Sequence, residues 1–215
     1  MSAGNYTDWF KTTNGVRQGD PVGPTCSAIY LNDLLLDLNQ NETCILAFAD
    51  DLVLISNSEK GLQNLINKVS SWCKKWTLSA NLEKTNVMHF RNPGKKLTDF
   101  SFEWGNCEVS KVESYKYLGV WLDSSLTFQK HCEALADSGG RALGKVLSKF
   151  KNFKEICYDT FTKLINTCVD PVVQYGAGVW GFTAAPQIER VQTRAMRFFL
   201  GVHPKAQNSH SSYIW

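Results

Sequence analysis

Long apolar runs are missing from this 215-residue chain. The longest, around Ile45–Ala49, is a handful of residues, whereas a membrane span needs about twenty. The opening Met1-Ser2-Ala3-Gly4-Asn5-Tyr6-Thr7-Asp8 has neither a basic stretch nor an apolar core, so no secretory signal is expected. These absences predict a soluble intracellular protein and do not choose between nucleus and cytoplasm. Paired cysteine motifs are missing as well. The seven cysteines (26, 44, 73, 107, 132, 157 and 168) are odd in number and widely spaced, with no CxxC. Only the adjacent His131-Cys132 brings the two ligand types together, and neighbours in a helix point in different directions. The expectation is small buried side chains, neither a disulfide framework nor a zinc site. The four histidines (89, 131, 203 and 210) form no evident cluster, and no Ser/His/Asp or phosphate-loop pattern is present. Internal repeats and low-complexity tracts are absent too.

The chain is 43% hydrophobic and 20% charged, close to the average for globular proteins, which excludes disordered and rod-like classes. Its length suits one domain, or one domain with a small appendage. Net charge is +3 but uneven. Residues 1–140 hold 13 Lys+Arg against 16 Asp+Glu, and residues 141–215 hold 10 against 4. A basic last third fits a polyanionic partner, and equally a solvated surface.

The glycine- and proline-rich segment 10–24 reads as a loop opening a helix that runs to about Leu38, with Pro24 in the first helical turn. Two apolar runs, Cys44–Ala49 and Leu52–Ser56, hinge on Asp50-Asp51 and predict a buried β-hairpin. Asn57-Ser58-Glu59 offers a cap and a first-turn acid for the next helix, whose apolar residues Leu62, Leu65, Ile66, Val69, Trp72, Cys73 and Trp76 keep helical spacing. Short strands are expected near 86–90, 101–104, 108–110 and 115–122, with Gly105-Asn106 as a turn, followed by three or four helical segments up to Val202. The tail 207–215 has no pattern. The fold class predicted is α+β followed by an all-helical region.

Two adjacent carboxylates on a greasy hairpin repel each other, and a divalent cation would relieve that repulsion. Alone, the pair reads as an ordinary hairpin turn. Its company changes the reading. Gly15-Val16-Arg17-Gln18-Gly19-Asp20-Pro21-Val22-Gly23-Pro24 precedes it, with 32 positions from Gln18 to Asp50. Asn81-Leu82-Glu83-Lys84-Thr85 follows, 33 positions from Asp51 to Lys84, and then Tyr117-Leu118-Gly119-Val120, 34 positions from Lys84 to Leu118. With Gln174-Tyr175-Gly176, Val179-Trp180-Gly181 and Ile188–Ala195, this order resembles the reverse transcriptases of non-LTR (LINE-type) retrotransposons over roughly residues 10–205. Group II intron maturases and telomerase share the polymerase palm, but the Tyr175-Gly176 and Val179-Trp180-Gly181 pattern favours the LINE-type branch.

The resemblance implies the C-terminal part of a palm, an antiparallel sheet with helices on one face, over 1–122. It implies a thumb-like helical region over 123–206 and a loose tail over 207–215. It implies Mg²⁺ as cofactor, with Asp50 as a metal ligand and Asp51 as a supporting carboxylate in two-metal phosphoryl transfer. Lys84 matches a lysine near the leaving pyrophosphate, and Gln18, Gly19 and Pro24 match a segment beside template and incoming nucleotide. Tyr117, Leu118 and Gly119 match a primer grip, a turn of backbone that steadies the primer terminus. The partners implied are an RNA template and a DNA primer. Without the resemblance, Lys84 reads as a surface lysine and Tyr117 and Leu118 as strand core. Arg141, Lys145 and Lys149 form a helical stripe that could follow nucleic-acid phosphates or simply face water.

Departures from the family pattern bear on activity. Gly23 stands where the family commonly has serine. The fingers and a further metal-binding aspartate are expected upstream of Gln18, and Asp8 is the only acid in the first fourteen residues. The expectation is a polymerase fragment that is catalytically incomplete by itself, with a missing N-terminal portion. The rival is a nucleic-acid-binding remnant that uses the basic helical region without catalysis.

Overall fold

The computed structural model describes residues 19–38, 43–151, 153 and 156–202. In chain order it contains α1 (Gly23–Leu38), β1 (Thr43–Phe48), β2 (Asp51–Ser56), α2 (Glu59–Lys75), β3 (Asn86–Val87), β4 (Phe102–Trp104), β5 (Cys107–Lys111), β6 (Ser114–Tyr117), β7 (Val120–Asp123), α3 (Gln129–Phe150), α4 (Tyr158–Cys168), α5 (Asp170–Val173), α6 (Ala177–Trp180) and α7 (Pro186–Phe199). Among the described residues the fold is mixed α and β, with small sheets in which β1–β2, β4–β5 and β6–β7 pair antiparallel. The chain divides into two compact units, 1–85 with 99–110 and 86–98 with 111–215.

In the first unit, β1 and β2 pair antiparallel from Thr43 opposite Ser56 to Phe48 opposite Asp51. Leu34 of α1, Ile45 of β1, and Leu65 and Val69 of α2 form the buried centre. The spacing of Leu65 and Val69 puts both on one helical stripe, which faces the hairpin. Ser58 caps α2 by accepting from the Gly61 amide at 3.1 Å, so a free N–H at the helix start is satisfied. Trp72 donates its indole N–H to the Asp33 carboxylate at 3.1 Å, and Tyr30 donates to the Trp76 carbonyl at 3.1 Å. The β4–β5 hairpin turns at Gly105-Asn106, and the Gln63 side chain serves its edge. That amide donates to the Glu103 carbonyl at 2.8 Å and accepts from the Glu103 N–H at 2.9 Å.

The hairpin is less buried than the sequence suggests. Ile45 is 3% exposed, but Leu46, Phe48 and Ile55 are 50%, 62% and 46% exposed. Period-two alternation assigns Leu46, Phe48 and Ile55 to the face opposite Ile45, and α1 and α2 supply core only to the Ile45 side. The cysteines depart from expectation in the same way. Cys132 alone is buried, Cys44 and Cys73 are half-buried, and Cys26, Cys107, Cys157 and Cys168 are exposed.

In the second unit, α3 forms the spine of a core built from Phe128, Cys132, Leu135, Leu143, Leu147, Phe161, Ile165, Val173, Trp180, Val191 and their neighbours. A Cβ at Gly139 would lie 2.2 Å from Val173 Cγ1, so glycine is what lets α3 and α5 approach. Asp123 accepts from the backbone amides of Ser125, Thr127 and Phe128. These bonds hold a tight loop in which Leu126 and Phe128 have positive φ. The single strand expected over 115–122 is a hairpin instead, β6 and β7 joined by Leu118-Gly119. After it come five helical segments among the described residues, two of them single turns, where three or four were expected.

Candidate active site

Ala49 and Asp50 link β1 to β2. Ala49 has φ 52° at the first loop position, where a two-residue hairpin turn ordinarily takes glycine. Holding a non-glycine residue there costs on the order of 1–3 kcal/mol, and such strain collects at ligand-handling turns. The outcome is that Asp50 sits at the tip and Asp51 begins β2 directly opposite Phe48. Both carboxylates are exposed. By alternation Asp51 shares its face with Leu46, Phe48, Val53 and Ile55, away from the helices.

As donors, two carboxylates suit Mg²⁺, which is commonly held by one or two of them together with substrate phosphates and water. The residues present therefore fit one ion shared with a phosphate ligand. Among the described residues no group of three or more His, Cys, Asp and Glu side chains could enclose a metal. Asp50 and Asp51 are thus a pair of adjacent carboxylates with no third such ligand grouped with them among the described residues.

The other residues singled out in the sequence fall as follows. Gly19, at φ +89°, leads through Asp20 into α1. The Asp20 carboxylate accepts from the Val22 amide at 2.8 Å, and Pro24 sits in the first helical turn. Gln18 and Asp8 lie outside the described residues, as does the tail 207–215. Lys84 is exposed in a tight turn whose backbone is organised by Asn81, with the Lys84 and Thr85 amides donating to the Asn81 carbonyl at 3.2 and 3.1 Å. Gly19, Pro24 and Lys84 belong to the first unit, with Asp50 and Asp51.

Tyr117, Leu118 and Gly119 belong to the second unit. Leu118 (φ 44°) and Gly119 (φ 85°) are both left-handed, which is the geometry of a type I′ turn. Arg141, Lys145 and Lys149 are exposed along α3, on the side away from Leu135, Leu143 and Val146, which are buried. The stripe is real as a surface. Around the turn lie residues that the sequence reading did not assign to any site. Tyr175 donates its phenol O–H to the Leu118 carbonyl at 2.8 Å. Trp180 donates its indole N–H to the Tyr175 carbonyl at 2.8 Å. His131, almost fully buried, contacts that carbonyl through Nε2 at 3.4 Å and accepts the Trp121 N–H at Nδ1, also at 3.4 Å. Burial pushes the His131 imidazole below its ordinary value and Lys116 adds to this, while the bond to Tyr175 opposes it. The signal that could have found this cluster is the Tyr175-Gly176 pair itself, which carries the resemblance but names no role.

The family model for reverse transcriptase (RNA-dependent DNA polymerase) matches residues 1–122, more than half of the chain. This chain belongs to the reverse transcriptase family. Curated relatives of this chain come from mobile elements, as do the non-LTR retrotransposon reverse transcriptases that its motifs resemble. The RNA-directed DNA polymerase of mobile element jockey from Drosophila funebris is 27% identical over 189 residues, 83% of this chain and 20% of that protein. The probable RNA-directed DNA polymerase of transposon BS from Drosophila melanogaster is 26% identical over 197 residues, 85% of this chain and 22% of that protein. The type-2 retrotransposable element R2DM polyprotein of Drosophila melanogaster is 30% identical over 145 residues, 60% of this chain and 14% of that protein. The chain spans about a fifth of the length of the first two relatives. No solved structure matches it. Among the described residues no helix is long and apolar enough to cross a membrane.

Proposed function

We propose that residues 1–122 are the C-terminal part of a retrotransposon polymerase palm, that 123–206 act as a thumb-like region, and that 207–215 are a tail. The reaction served is RNA-directed DNA synthesis on an RNA template with a DNA primer. The observation that carries the reading is the exposed Asp50-Asp51 pair on a strained hairpin tip, in a chain of this family.

Asp50 and Asp51 would hold Mg²⁺, which when bound favours ionisation of the primer 3′-hydroxyl and offsets charge on the triphosphate. The positive Lys84 side chain stabilises charge on the leaving pyrophosphate. Gly19, next to Gln18 in sequence, would let backbone approach template and nucleotide closely, and Pro24 helps start α1. The turn at Tyr117, Leu118 and Gly119 steadies the primer end. Arg141, Lys145 and Lys149 follow backbone phosphates without reading sequence.

On their own these residues offer one carboxylate wall, and two ions in register need an opposing one. The isolated chain is therefore expected to add no nucleotide to oligo(dT) on poly(rA) with Mg²⁺ or Mn²⁺. Incorporation that disappears in Asp50→Ala would show a complete site within these residues. Metal placement is tested separately, with Fe²⁺ replacing Mg²⁺ in the presence of primer–template and dTTP. Hydroxyl-radical cleavage is expected within a few residues of Asp50 and should vanish in Asp50→Asn/Asp51→Asn; cleavage only elsewhere would sink the assignment. The exposed α3 stripe favours one further reading, nucleic-acid binding by the helical region without catalysis.

A further inference from the structure

Leucine is a poor residue for a type I′ turn, which asks for positive φ at both loop positions and is usually built from Asn-Gly or Gly-Gly. Leu118 nevertheless holds φ 44° there. A left-handed leucine persists only where its surroundings overdetermine it, and the surroundings here are Tyr175. Its phenol takes the Leu118 carbonyl at 2.8 Å. Its ring covers Gly119 so closely that a Cβ would lie 2.8 Å from Tyr175 Cε1 and 3.0 Å from the phenol oxygen. Tyr175 is in turn fixed through its own carbonyl, by the Trp180 indole at 2.8 Å and by buried His131. Gly176, at φ 71°, makes the sharp bend that starts α6 and brings Trp180 back onto that carbonyl. Tyr175 itself is 51% exposed, so its hydroxyl contributes little to the core.

We propose that Tyr175 is a positioning residue that locks the Leu118-Gly119 turn in the strained shape presented to the primer terminus. The inference rests on reading Tyr117-Leu118-Gly119 as a primer grip and adds the group that sets its geometry. A strained turn pinned from outside presents the Leu118 side chain and the turn backbone in a single arrangement, where a relaxed Asn-Gly turn would need no pin.

The test uses the full chain and two readouts. Amide exchange across 114–123 is compared in wild type, Tyr175→Phe and Tyr175→Phe/Leu118→Asn. Loss of one hydrogen bond is expected to speed exchange about fivefold in Tyr175→Phe, with α3 amides unchanged. The added Leu118→Asn should restore wild-type exchange because asparagine accepts the left-handed position. The second readout is the fluorescence of 2-aminopurine at the primer 3′ end of a bound primer–template duplex, which should shift in Tyr175→Phe. Unchanged 114–123 exchange in a folded Tyr175→Phe would overturn the positioning role whatever the primer does. Faster exchange without rescue by Leu118→Asn would overturn it too, as a general loosening. Faster, rescued exchange with a primer-end signal unmoved in both Tyr175→Phe and Gly119→Ala would instead refute the grip reading. A primer-end signal moved by Gly119→Ala alone would overturn the role of Tyr175.

Discussion

His131 shows how a single side chain ties sequence to chemistry. Its Nδ1 accepts from the Trp121 N–H, so the proton sits on Nε2 and points at the Tyr175 carbonyl. That arrangement requires the neutral ring. Burial lowers the folded pKa below the ordinary 6.5, so the unfolded chain binds a proton more readily than the folded one. The contribution to stability is present above about pH 6.5 and is lost as pH falls through the lowered folded value. Urea midpoints measured between pH 7.5 and pH 5 should fall in wild type, and the His131→Gln fall should be smaller. Equal pH dependence in both proteins would remove His131 as the source. None of this was legible in the sequence, where His131 looked like half of an unsuitable metal pair. Its role depends on Trp121 and on Tyr175, 44 residues away.

Among the elements, α2 was legible because everything that makes it a helix is local: the Ser58 cap, Glu59 in the first turn and an apolar stripe at helical spacing. The β1–β2 hairpin was legible as a hairpin but not in its burial, because burial depends on what covers the second face. The β6–β7 turn was legible only through the primer-grip resemblance, while the residues themselves read as one strand over 115–122, because Leu118 is a poor turn residue even beside Gly119; Tyr175 supplies the missing restraint. The stripe on α3 belongs to this scale too. Neutralising phosphates releases counterions, so duplex affinity should fall steeply with salt. The triple variant Arg141→Glu/Lys145→Glu/Lys149→Glu is expected to flatten the slope of log K against log salt by roughly two to three. Filter binding from low to moderate salt reads this directly, and an unchanged slope would assign the stripe to solvent alone.

At the scale of the molecule, the two units differ in how much core they own. Among the described residues the first is centred on four buried residues, Leu34, Ile45, Leu65 and Val69, while the core of the second gathers fifteen. Buried apolar area sets stability, so amides of 43–75 are expected to lose protection at lower urea than those of 129–165, read by hydrogen exchange at increasing denaturant. Loss of protection together, at one concentration, would mean that the chain unfolds as a single cooperative body. Family membership was legible from the order and separation of four short segments, although overall identity is only 27% to the Drosophila funebris jockey polymerase and 26% to the BS polymerase. The division into units was not, because 99–110 joins the first unit and 86–98 the second.

The Gln63 amide, by answering both the N–H and the C=O of Glu103, behaves as a stopper on that rim of β4. A neighbouring molecule looking for an open rung there finds donor and acceptor already taken. Stickiness in concentrated solution should then concentrate on the greasy outer side of Thr43–Ser56, and a soluble version of this polypeptide is best sought by recolouring Leu46 and Ile55 with polar groups while leaving Gln63 alone.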